Sequence, residues 1–193
     1  MDAIFLSASI PQPGRQFYGT ADPLLIQHAV RAFLTLFLGR RHIVWGGHPS
    51  ITPMVQAACQ TLGVQYAQAV TLYQSEFYRG KFPTENTGFP ELVHTKAGAD
   101  LPSSLRIMRE EMLGRNDLIA AVFIGGMEGI LDEYDMFLRI QPGAIVVAVP
   151  RPGGASREVA VQRGYDESVD PNPTDFTRQF IDELGVFPSD PRA

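Results

Sequence analysis

Leu118-Ile119-Ala120-Ala121-Val122-Phe123-Ile124-Gly125-Gly126-Met127-Glu128-Gly129-Ile130-Leu131-Asp132-Glu133 is the stretch whose reading decides the fold. Leu118–Ile124 is a near-continuous apolar run, the pattern of a strand covered on both faces. Gly125-Gly126 breaks the run, and residues from Glu128 to about Leu138 have the make-up of a helix. A buried strand that passes through a glycine turn into a helix is the repeating unit of a parallel sheet with helices packed on it.

The same alternation extends in both directions. Upstream, Ile4–Ser9 reads as the first strand. Asp22-Pro23 supplies an N-cap followed by proline at the first helical position. Ile26, Val30, Phe33 and Phe37 then recur at helical spacing, and Gly39 closes the helix. His42–Trp45 is a second strand that runs into Gly46-Gly47-His48-Pro49. A helix starting at Ser50 or at Thr52-Pro53 ends at Gly63. Val64–Leu72 is expected to be the third strand. Gln74–Pro90 reads as a long loop with a short helical piece, and loops of that length in a compact domain often carry function. Glu91–Thr95 is a fourth strand, and Asp100-Leu101-Pro102 opens a helix with Leu101, Leu105, Met108 and Met112, ended by Gly114. Downstream of the deciding stretch, Ala144–Val149 is another buried strand. A short helix over Ser156–Gln162 follows. A last helix, started by Asn172-Pro173, carries Phe176, Phe180, Ile181 and Leu184. The expected fold is α/β: one domain over residues 1–187, built on a single doubly wound, mostly parallel Rossmann-like sheet with helices on both faces. Residues 188–193 are expected to form a loose tail.

Composition narrows the function classes. Of 193 residues, 45% are apolar and 19% charged, which excludes a disordered chain and a coiled coil. The net charge of −5 is the wrong sign for a protein that grips a nucleic-acid backbone. The single cysteine, Cys59, excludes an intrachain disulfide. It falls in the apolar stretch Met54–Leu62 and reads as a small core residue. The opening residues lack the basic and apolar regions of a signal peptide, and no apolar run approaches the roughly 18 residues of a membrane span. A cytoplasmic protein with no membrane or nucleic-acid partner is expected.

Three strand ends carry the residues of chemical interest. Ser7-Ala8-Ser9 offers small hydroxyl side chains beside which a phosphate or ribose can lie. Gly46-Gly47 permits a tight turn and close ligand approach, and the helix after it presents free amides. His48 either contacts a ligand there or caps the helix. A metal role is disfavoured, because no second histidine stands at ligand spacing. Gly125, Gly126 and Met127 repeat the arrangement, with Glu128 in the first helical turn. Glu128 either meets a ligand or complements the helix dipole. Glu133 lies about 140° around the helix from it. Neither turn has the G-x-G-x-x-G spacing of a dinucleotide dehydrogenase, neither is a Walker loop, and the chain has no G-x-S-x-G elbow.

Four segments together resemble the SLOG superfamily: Ile4-Phe5-Leu6-Ser7-Ala8-Ser9-Ile10-Pro11, Ile43-Val44-Trp45-Gly46-Gly47-His48-Pro49, Tyr73-Gln74-Ser75-Glu76-Phe77 and Val122-Phe123-Ile124-Gly125-Gly126-Met127-Glu128-Gly129. Their order and spacing look most like a stand-alone subfamily linked with bacterial conflict systems, over roughly residues 1–165. The superfamily includes the "lonely guy" (LOG) phosphoribohydrolases, which carry P-G-G-x-G-T-x-x-E after a strand. Here Gly125 and Gly126 match the paired glycines, and Gly129 and Glu133 match the later positions if one extra residue is allowed. Ile124 replaces the proline and Ile130 the phosphate-holding threonine. In ligand-sensing members the strand-end cleft binds nucleotide derivatives such as ADP-ribose and cyclic ADP-ribose. The resemblance implies that Ser7, Ala8, Ser9, Gly46, Gly47, His48, Gly125, Gly126, Met127 and Glu128 line that cleft. Tyr73, Gln74, Glu76 and Tyr78 would recognise base or ribose, unless they are core packing.

Three functions follow from it. The first is binding of a nucleotide-derived ligand (ADP-ribose, cyclic ADP-ribose or NAD-like), without a further cofactor, as a sensor or signal handler in stress or phage defence. The second is LOG-like hydrolysis of the N-glycosidic bond of nucleoside 5′-monophosphates, with Glu133 or Glu128 as the catalytic carboxylate. The third is a scaffold role in a homodimer or larger homo-oligomer beside an effector protein, with Leu131, Met136 or Phe137 facing a partner.

Overall fold

The most apolar stretches of the chain become its strands, and the glycines and prolines between them set where each strand turns into a helix. The computed structural model describes residues 1–169 and 174–192. Among these described residues six strands run β1 Ala3–Ser9, β2 His42–Trp45, β3 Val70–Ser75, β4 Glu91–Thr95, β5 Leu118–Gly125 and β6 Ile145–Val149. The same residues form six α-helices, α1 Pro23–Phe37, α2 Thr52–Leu62, α3 Leu101–Leu113, α4 Glu128–Ile140, α5 Ala155–Gln162 and α6 Phe176–Leu184. The strands form one sheet in the order β4-β3-β2-β1-β5-β6, and every pairing is parallel. The doubly wound, Rossmann-like α/β fold is therefore present. From β1 the chain winds outward through β2, β3 and β4, then returns to lay β5 against the other side of β1. That reversal is the switch point at which ligands of such sheets bind.

Strand β1 shows how one sequence serves two cores. Side chains alternate across a strand. Ile4, Leu6 and Ala8 enter the cluster that contains Ile26, Val30 and Phe33 of α1, together with residues of α2 and α6. Ala3 and Phe5 enter the opposite cluster, with Met108 and Met112 of α3, Phe137 of α4 and Val159 of α5. Phe137 stacks on Phe5 with ring centroids 6.3 Å apart. It is fully buried in this core and does not face a partner.

Local signals set the helix ends. Asp22 caps α1 by accepting from the amides of Leu24 and Leu25 at 2.9 and 3.1 Å. Asp100 and Ser103 form a reciprocal capping box on α3. The start expected at Asn172-Pro173 lies outside the described residues; α6 is capped by Asp175, which accepts from the Arg178 amide. Cys59 is buried on α2, and that burial pushes its thiol pKa up to about 11.

Two expectations need correction. Residues 64–69 do not begin the third strand. Gly63 ends α2 at φ 131, and Val64–Ala69 coils as a 3₁₀ segment before β3 begins at Val70. Tyr73, Gln74 and Ser75 are consequently strand residues. The stretch after them is the expected long loop with short helical pieces, the 3₁₀ turns Glu76–Tyr78 and Thr84–Gly88, and it starts at Glu76 instead of Gln74. It is the crossover between the parallel neighbours β3 and β4, in the place a helix usually takes, and parallel pairing alone demands a dozen or so residues there.

Residues 188–192, expected as a loose tail, bond to the end of α1. Arg40 donates to the carbonyls of Asp190 and Pro188, and Arg192 to those of Thr35 and Leu38. Among the described residues no helix is long and apolar enough to cross a membrane.

Candidate functional site

At the switch point the carboxyl ends of β1, β2 and β3 open into a cavity of about 340 Å³. Its floor is the end of β1, Leu6 to Ser9, with Trp45 and the turn Gly46–Pro49 beside it. One wall is the β3–β4 crossover, through Tyr78, Lys81 and Pro83. The facing wall is α3 and α4, through Leu105, Met108, Arg109, Met127, Gly129, Ile130 and Glu133.

The Gly46-Gly47 turn is braced from below. Gly47 has φ 73, and a Cβ there would lie 2.1 Å from the Gln74 side-chain nitrogen. That nitrogen donates to the carbonyls of Gly46 and Tyr73, each at 3.0 Å. Gln74 thus touches the cavity as a fixed support. His48 is fastened by a short relay. The Ile10 amide donates to Ser50 Oγ at 3.0 Å, and Ser50 Oγ lies 2.8 Å from His48 Nδ1, which also accepts the Ser50 amide at 3.2 Å. With Nδ1 accepting, the neutral ring carries its proton on Nε2. Burial lowers the His48 pKa, which favours that neutral form. The amides of Gly47 and His48 have no acceptor among the described residues, and the indole N–H of Trp45 is buried without one.

On the facing wall Glu133 is mostly buried, its side chain 16% exposed. One carboxylate oxygen accepts from Ser7 Oγ at 2.5 Å, and the other from Arg109 Nε at 3.1 Å. Arg109 also donates to Asp132 Oδ2 at 3.0 Å and to the Gly129 carbonyl at 3.3 Å. Gly129 makes this possible, because a Cβ there would sit 2.8 Å from the guanidinium. The α4 N-cap, Met127, makes no side-chain capping bond, so the first-turn amides of Glu128 and Gly129 stay open.

Of the residues singled out in the sequence, Ser7, Ala8, Ser9, Gly46, Gly47, His48, Gln74, Tyr78, Met127 and Glu133 share this cavity. Five others lie off it. Tyr73 is buried in the α3 core and interacts with Arg115. Glu76 is bonded to Arg79 at 2.5 Å and to His94 at 3.2 Å. Glu128 is 43% exposed and pairs with Arg15 at 3.6 Å. Gly125 and Gly126 are buried, and their amides are already used: Gly125 donates to Ser156 Oγ and Gly126 to the Ser9 carbonyl, both at 2.8 Å. Their positive φ values of 63 and 78 let β5 turn against β1 and the Gly153-Gly154 loop. These glycines shape the cavity rim without reaching into it. Arg109 and Lys81 were missed. Arg109 carried a signal, since it sits four residues after Leu105 on a helix face that is otherwise apolar.

No curated protein matches the chain. A family model described as the SLOG cluster3 family matches residues 16–184, most of the chain. The chain belongs to the SLOG cluster3 family, and through it to the SLOG superfamily.

Proposed function

We propose that the chain binds a nucleotide-derived ligand, of the ADP-ribose, cyclic ADP-ribose or NAD-like class, in the switch-point cavity, and acts as a sensor or signal handler in stress or phage defence. Membership in a SLOG family supports a nucleotide-related function. The observation that carries the reading is the meeting, in one cavity of about 340 Å³, of a glycine turn with open amides, the hydroxyl end of β1 and the uncapped start of α4. Cavities of small-molecule sites run from about 300 Å³ upward, so a ligand of mononucleotide size fills this one and a larger one extends past its mouth. In this reading the protein is a cytosolic homo-oligomer beside an effector.

Isothermal titration calorimetry against ADP-ribose, cyclic ADP-ribose, NAD and the nucleoside 5′-monophosphates tests it. Saturable binding by at least one is expected, and no heat from any of them would sink the reading.

The position of Glu133 favours a second reading, LOG-like hydrolysis, because this carboxylate lines the cavity whereas Glu128 does not. Both of its oxygens are held by Ser7 and Arg109, however, an arrangement that suits a brace or sugar contact better than a base that must take a proton from water. Release of free base from a nucleoside 5′-monophosphate, abolished in Glu133→Gln, would establish the hydrolase instead.

A further inference from the structure

The two walls of the cavity differ in charge. Around the first turns of α4, three carboxylates meet two guanidinium groups: Glu128 pairs with Arg15, while Asp132 and Glu133 share Arg109. On the lining itself Arg109 and Glu133 balance each other, Asp132 adds a carboxylate outside it, and Arg109 is spent on its partners. On the opposite wall Lys81 lines the cavity, and its ammonium meets no acid among the described residues. The nearest acid in sequence, Glu85, accepts from Thr84 and forms no ion pair with Lys81, and Glu76 is taken by Arg79 and His94. In a chain of net charge −5, the uncancelled charge on the cavity lining is thus a cation on the crossover wall. The same cavity is lined by the Gly47–His48 turn, with its open amides and the His48 Nε2–H. The first-turn amides of α4 are open too, but the same first turns carry the carboxylates of Glu128, Asp132 and Glu133. A carboxylate repels phosphate and accepts from hydroxyls.

Resting on the nucleotide-binding reading above, we infer that the ligand lies across the crevice with its phosphate at Lys81 and the Gly47–His48 turn, and its sugar hydroxyls at Ser7 and Glu133. This orientation takes the phosphate away from the Gly125-Gly126 turn, whose amides are already bonded.

Isothermal titration calorimetry reads occupancy of the cavity and the affinity of each ligand. The parent, Lys81→Met, Arg15→Met and Glu133→Gln are titrated with adenosine 5′-monophosphate, ADP-ribose and adenosine. Lys81→Met is expected to weaken the two phosphates by about tenfold or more and to leave adenosine within about twofold. Arg15→Met leaves all three unchanged, and Glu133→Gln weakens adenosine as much as its monophosphate. Lys81 is exposed, so its replacement does not endanger folding. Loss of phosphate affinity in Arg15→Met but not in Lys81→Met would place the phosphate at α4 and overturn the orientation. So would equal weakening of adenosine and its phosphates by Lys81→Met, or unimpaired adenosine binding by Glu133→Gln. Each of these leaves the binding reading intact. A parent protein that binds none of the three overturns that reading and the orientation with it.

Discussion

Ser156 ties two strand ends together through one buried oxygen. It accepts from the Gly125 amide at 2.8 Å and donates to the Val149 carbonyl at 2.7 Å. Ser156→Ala leaves a buried donor and a buried acceptor unpaired, so an equilibrium urea titration should show a loss of about 2 kcal/mol. An unchanged midpoint would mean that water takes the place of the hydroxyl. The case also shows what is legible residue by residue. Gly125-Gly126 reads from the sequence as a turn that needs positive φ. Its cause does not, because Ser9, Ser156 and Gly154 meet these glycines only once β1, β5 and β6 lie side by side. Glu133 was legible as a candidate. Its two partners, Ser7 and Arg109, come from distant parts of the chain and needed the fold to be found.

At the scale of elements, α6 is held by an aromatic cluster. Phe180 meets Phe33 and Phe37 of α1 edge-on, at centroid distances of 5.9 and 6.0 Å, and is fully buried. Phe180→Ala should cost about 3–5 kcal/mol, through lost transfer free energy and the cavity left behind. Chemical denaturation measures it, and limited proteolysis should cut first near α6. A cost under about 1 kcal/mol would show that α6 contributes little to the α1 face. Elements with both a local signal and a clear period were readable in advance. Helix α1 has its aspartate cap, its proline and its apolar stripe, and α3 has Asp100 and Gly114 at its two ends. The start of β3 was not readable. Val64 to Leu72 is apolar enough for a strand, but after Gly63 residues 64–69 coil as a 3₁₀ segment and the strand begins only at Val70. The crossover after β3 was seen as a loop, and its role became clear only when β3 and β4 proved to be parallel neighbours.

For the molecule as a whole, the alternation of apolar strands and capped helices was enough to give a doubly wound sheet, but strand order was not in the sequence. The order places β5 against β1 and so gathers Ser7, Glu133 and the Gly46–His48 turn at one switch point. That gathering has a consequence for stability as a function of pH. His48, enclosed by the β2 turn and its Ser50 relay, has its pKa lowered by burial. His42, at the start of β2, is also lowered, chiefly by burial, with Glu91 opposing the shift. The folded state therefore binds these protons less readily than the unfolded chain, whose histidines titrate near 6.5. Stability from both groups is fully present above that value and is lost as pH falls below it toward the lower folded-state pKa values. Glu183 acts in the opposite sense, since burial raises its pKa and stabilises the fold as it protonates, but from an ordinary value of 4.5. Between pH 7.5 and 5.5 the histidines should dominate, and the urea midpoint should fall. In His48→Gln, where the glutamine can still accept from Ser50, that fall should become smaller while the midpoint at pH 7.5 changes less. A variant that keeps the full pH dependence of the parent would remove His48 from the account and leave the effect to His42.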